Sequence, residues 1–98
     1  MRSTFSHWLI DDGYSEKSRS DYVAEARRVE NFYGDLDRHY DRDRFSALLD
    51  ELTYSKDDQR KGRPNPARFQ IIGDFYTNLA SYRSALRRYS RFRASEAA

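Results

Sequence analysis

Ile72, Phe75, Tyr76, Leu79, Tyr82, Leu86 and Tyr89 return every three or four residues, the spacing that keeps apolar side chains on one face of an α-helix. A stripe held over about five turns needs partners with matching stripes. It predicts a helix that opens at Asn65 and Pro66, since proline is tolerated at the first helical position, and runs to about Arg93. Gly73 lies inside that stretch, as a kink or interruption costing about 1 kcal/mol relative to alanine.

Three further segments supply the partners. Phe5, Trp8 and Leu9 share the face of a short helix that Thr4 caps and Gly13 terminates. Tyr22, Ala26, Val29 and Tyr33 form a stripe on a second helix, capped by Ser15 and ended by Gly34. Phe45, Leu48, Leu49 and Leu52 mark a third, with Asp41 or Asp43 as its cap and its end near Thr53 or Tyr54. "DLDRHYDRD" reads as a polar connector and residues 55 to 66, "SKDDQRKGRPNP", as an exposed loop. No alternation long enough for a strand competes with these patterns, so the expected fold is all-α, a single bundle of four to five helices. Its boundaries are residues 1–93, with residues 94–98 as a frayed tail.

Composition limits what such a bundle can do. A domain of 98 residues buries only about 60 to 65% of its unfolded surface, which leaves little volume for a substrate cavity beside a core. Eight tyrosines and six phenylalanines make up for scarce aliphatic residues, so the core should be rich in tyrosine. There is no cysteine, and His7 and His39 stand far apart, so neither disulfides nor structural zinc are expected. The apolar run near the N-terminus is too short for a signal peptide and no stretch approaches a membrane span, which implies a cytoplasmic protein with no membrane partner.

Charge is distributed unevenly. Residues 1–55 hold 12 acids and 8 bases, whereas residues 56–98 hold 4 acids and 10 bases, although the whole chain carries only +2. The 21 residues between Asp74 and Glu96 contain no acid. Exposed helices ordinarily interleave both signs for i,i+4 pairing, and this one does not. A helical wheel turns Arg87, Arg88 and Arg91 outward and sets Arg83 at the border, giving an i, i+4, i+8 ladder of Arg83, Arg87 and Arg91 suited to a phosphate backbone. Basic residues near a helix C-terminus also complement its dipole, by about 0.3 to 1 kcal/mol each. A second candidate is the start of the second helix, where Ser18 and free amides stand beside Lys17 and Arg19, although Glu16 and Ser15 also describe an ordinary cap. The loop bases Lys56, Arg60, Lys61 and Arg63 are offset by Asp57 and Asp58.

Catalytic signatures are weak. His39 among Asp37, Asp41 and Asp43 has a metal-like composition, but alternating charge on an exposed segment explains it more simply. Arg2 and His7 have R-x4-H spacing without the buried helical pair that motif requires. No phosphate-binding glycine loop or nucleophile elbow is present, so no enzyme and no cofactor are expected.

Two stretches carry a family likeness. Phe5, Trp8, Leu9, Gly13, Tyr14, Ser15, Ser18 and Tyr22 resemble the opening of the core-binding, or SAM-like N-terminal, domain of tyrosine recombinases and phage integrases, with Ser18 where threonine is usual. Ser84, Ala85, Leu86, Arg88, Tyr89 and Phe92 resemble the ending of its last helix, so the likeness spans residues 5 to 92. The same module occurs at the N-terminus of some restriction-type proteins. The resemblance implies a four- or five-helix bundle laid against one side of a DNA duplex. Strand exchange in that family belongs to a separate domain with an arginine-histidine-arginine cluster and a nucleophilic tyrosine, which these residues do not supply. The expectation is a non-catalytic module that binds nucleic acid, double-stranded DNA above all, through Arg83, Arg87, Arg88 and Arg91 with Lys17, Ser18 and Arg19. The alternative is a protein-interaction or oligomerisation module, with a protein partner or a parent-chain catalytic domain.

Overall fold

A computed structural model describes residues 1–97. They form five helices, α1 (Phe5–Asp11), α2 (Glu16–Tyr33), α3 (Leu36–Asp43), α4 (Ser46–Glu51) and α6 (Phe75–Ala97), plus a one-turn segment, α5 (Lys56–Arg60). No strand occurs among the described residues. The all-α reading holds, and none of these helices is long and apolar enough to cross a membrane.

Local chemistry sets the helix ends. After α1 the Gly13 amide donates to the Ile10 carbonyl and the Tyr14 amide to that of Leu9, the paired bonds of a Schellman stop, with Gly13 at φ 89°. The Ser15 hydroxyl accepts the Ser18 amide and opens α2. Thr4 precedes α1 as expected, but its side chain makes no capping bond. Gly34 closes α2 at φ 93° and ψ 178°, a conformation open to glycine alone.

Three expectations need correction. The connector "DLDRHYDRD" is helical: Asp35 caps it by accepting the Asp37 amide, and Leu36 and Tyr40, one turn apart, are buried. Asp43 accepts the Ala47 amide at 3.1 Å, but the cap position of the following helix is taken by Phe45. Between the two helices Arg44 and Phe45 are both left-handed, at φ 54° and 69°, a strain that the full burial of Phe45 offsets. Second, the loop after Tyr54 contains α5, held by a reciprocal bond pair between Ser55 and Asp58. Third, the last helix starts at Phe75, because Gly73 at φ 98° turns the chain and Asp74 caps the new start by accepting the Thr77 amide at 2.8 Å. Asn65 caps only a local turn at Ala67. Residues 65–72 instead run as a strap whose alternate side chains face in: Phe69 and Ile71 are buried, whereas Ile72, assigned to the core stripe, is 89% exposed. At its far end α6 continues past Arg93 to Ala97; the last residue of the expected tail lies outside the described residues.

α6 is the central element, packed chiefly against α2. Its inward side carries Leu79, Tyr82, Ala85, Leu86, Tyr89 and Phe92, all buried. Five tyrosines, Tyr33, Tyr40, Tyr54, Tyr82 and Tyr89, are buried, as the composition requires. Each hydroxyl finds a partner. Tyr54 donates to the Arg63 carbonyl, Tyr33 accepts the Arg68 amide, and Tyr40 and Tyr82 accept from the Arg44 and Arg28 guanidinium groups.

Candidate nucleic-acid interface

Because Leu79, Leu86 and Tyr89 are fully buried, the helical period turns the opposite side of α6 to solvent. Arg87 and Arg91 are exposed there, and Arg83 and Arg88 flank them half-buried. Their environments differ. Arg83 donates from Nη1 to the Leu52 carbonyl at 2.8 Å, beside the end of α4. Burial, and then the like charge of Arg87, lower its pKa. Arg87 has no hydrogen-bond or ion-pair partner among the described residues.

Arg88 is held by aromatic groups. Its Nε donates to the Tyr14 hydroxyl at 3.2 Å, and its guanidinium lies 5.7 Å from the Tyr14 ring and 5.1 Å from that of Tyr22. The two rings meet edge to face at 5.5 Å. Arg91 departs from the expected free ridge: its Nη2 sits 3.3 Å from an Asp12 carboxylate oxygen, with the guanidinium 5.6 Å from the Trp8 ring. The ladder of three reduces to two rungs free of carboxylate, Arg83 and Arg87, with Arg88 beside them.

The start of α2 is a closed cap. The Ser18 amide donates to Ser15 at 3.2 Å, and the Ser15 hydroxyl donates on to that of Ser18 at 3.1 Å. Lys17 pairs with Asp21 at 2.9 Å on a fully solvated surface. Arg19 meets no carboxylate among the described residues and donates to the Tyr14 carbonyl at 2.8 Å. Tyr14 thus joins the two candidate regions, taking Arg19 on its carbonyl and Arg88 on its phenol. In the sequence Tyr14 stands out only for its place in a motif, and no spacing couples position 14 to position 88.

The remaining bases of the acid-poor half are mostly paired with carboxylates of the chain, on the surface except for Arg93. Arg93 is nearly buried, 2.8 Å from Asp37 and 3.0 Å from Asp41, with its guanidinium over Tyr40. Burial pushes the Asp37 carboxyl up, but hydrogen bonds from Tyr89 and Arg93 and the nearby Met1 ammonium outweigh it and hold the pKa below the usual carboxylate value. Arg60 and Lys61 pair with Asp57, and Arg63 with Asp58. Lys56 pairs with no carboxylate among the described residues and lies 5.8 Å from the Tyr76 ring.

His39 is tied into the fold through both ring nitrogens. Its Nε2–H donates to the Tyr33 carbonyl at 2.8 Å and its Nδ1 accepts from Arg42 at 2.9 Å. Arg2 turns to Glu96 and leaves His7 exposed. No group of three metal-ligating side chains occurs among the described residues.

No family model matches the chain, and neither does any curated protein or solved structure.

Proposed function

We propose that the chain is a non-catalytic nucleic-acid-binding module that grips the phosphates of duplex DNA through Arg83, Arg87 and Arg88 on the outer side of α6. Arg19 extends the strip through Tyr14, and Arg91 joins when a phosphate replaces Asp12. The observation that carries this reading is the placement of three guanidinium groups on two turns of one helix without a carboxylate partner among the described residues. The likeness of the N-terminal and C-terminal motifs to the core-binding domain of tyrosine recombinases supports a duplex over a single strand, because that module lies along one side of DNA. Phosphate contacts position a protein without reading bases, so sequence preference is weak.

Affinity then follows salt. Each neutralised phosphate contributes a slope of about −0.9 in log affinity against log salt, so three contacts lose about fortyfold between 50 and 200 mM. Titration of a labelled duplex at those two concentrations tests the reading. Binding that ignores salt, or none at the lower concentration, removes it.

A further inference from the structure

A second surface lies on the other side of α6. Asn78 and Arg87 are nine residues apart, about two and a half turns, and so point in opposite directions. Asn78 and Tyr82 line a cleft of about 170 Å³ with Arg28 of α2 and Gln70, Ile71 and Ile72 of the strap.

Its chemistry is that of a charged anchor beside apolar side chains. Arg28 donates to the Gln70 carbonyl at 2.6 Å and, at the longer distance of 3.4 Å, to Tyr82, and no carboxylate lies within ion-pair distance of it among the described residues. A guanidinium has five N–H donors in a planar fork, so three remain for a ligand. Ile72 lines the cleft and is 89% exposed, because Ile71 takes the inward place and Gly73 turns the chain away. Phe32, one turn from Arg28 on α2, is 48% exposed, with its ring 5.4 Å from Phe69, over which Arg28 also lies. The fold gains nothing from the exposure of these two side chains.

We infer that this face docks a protein segment in which an aspartate or glutamate is flanked by large apolar residues, the carboxylate entering the fork of Arg28 and the apolar side chains covering Ile72 and Phe32. Charge selects this occupant over a second copy of the chain. A copy related by a two-fold axis sets Arg28 against Arg28 or against another part of the same patch, which holds no acid. The opposite placement of Arg87 leaves α6 free to hold DNA while the segment is bound.

The test selects displayed random twelve-residue peptides on the intact chain, then titrates one enriched peptide against variants. The expected peptides place Asp or Glu within four residues of Leu, Ile or Phe. Ile72→Asp and Arg28→Met should each weaken binding about tenfold or more, as does a Glu→Gln change in the peptide, whereas Arg87→Ala leaves it unchanged. Ile72→Asp is the decisive variant, since that side chain supports no core contact; Arg28→Met also removes the tie to Gln70. Enrichment without an acid, or binding indifferent to Ile72→Asp, overturns the inference. Sedimentation showing self-association that Ile72→Asp abolishes overturns it too, assigning the face to a dimer.

Discussion

Arg91 and Asp12 meet across 3.3 Å, tying the outer face of α6 to the turn that ends α1. Both side chains are exposed, so the pair is worth at most about 1 kcal/mol to the fold. Its cost to phosphate binding is larger in effect, because an aspartate beside the strip repels the backbone and occupies one guanidinium. Asp12→Asn should raise duplex affinity several-fold at 50 mM salt and steepen the salt dependence toward a fourth contact, with the melting temperature nearly unchanged. An unchanged affinity would separate Arg91 from the binding strip.

Arg87 offers the complementary test. It has no partner among the described residues to lose, so Arg87→Ala should leave thermal stability where it is while cutting the slope of log affinity against log salt by about 0.9. Arg93→Ala should do the reverse. That guanidinium is nearly buried and bridges the partly buried Asp37 and the exposed Asp41, so its loss should destabilise the fold by about 1 to 3 kcal/mol. It should leave the salt slope of the folded protein intact.

Two carboxyls predict opposite pH behaviour. The Asp37 pKa is lowered, so its contribution to stability is present above the unfolded value and disappears as pH falls through the folded one. Urea midpoints of the wild type should therefore drop on the acid side of pH 4, and Asp37→Asn should flatten that limb while lowering stability at neutral pH. Glu25 is shifted the other way: burial raises its pKa, the Ser81 hydroxyl that donates to both its oxygens lowers it, and Asp21 raises it. Its ionised form is the less stable one in the fold, so stability is lost as pH rises from the unfolded value through the folded one. Glu25→Gln should thus gain on the wild type over that interval.

What the sequence disclosed was whatever repeats. The stripes of α2, α4 and the body of α6 are periodic over two or more turns, and the caps at Ser15, Gly13 and Gly34 stand beside them. α3 escaped because one turn of inward side chain, Leu36 and Tyr40, cannot establish a period; Asp35 before Leu36 was the available signal. The strap escaped for the opposite reason. Ile72, Phe75 and Tyr76 extend the stripe of α6 backwards, whereas the alternation of Phe69 and Ile71 is too brief to compete, and only the left-handed turn at Gly73 decides between them. For the candidate interface, the wheel of α6 locates the arginines, but their freedom depends on residues 31 to 79 positions away. Asp12 and Tyr14 reach Arg91 and Arg88 only because α1 packs against α2 and α6. No local pattern encodes that.

The turn between α2 and α3 separates backbone conformation from space. Gly34 sits at φ 93° and ψ 178°, and a Cβ built there meets nothing within 4 Å. A steric account of contacts would predict a harmless alanine, or even a gain from a stiffer unfolded chain. The conformational account predicts the opposite, since a side-chain-bearing residue enters this region at a cost of about 1 to 3 kcal/mol. If the chain shifts to relieve that strain, Leu36 and Asp37 move with it, and the bonds of Asp37 to Tyr89 and Arg93 lengthen. Gly34→Ala should therefore lower the urea midpoint with little change in slope and weaken the protection of the Tyr89 region in hydrogen exchange. A loss below about 0.5 kcal/mol would show that the left-handed geometry at this turn relaxes freely and does not set the position of α3.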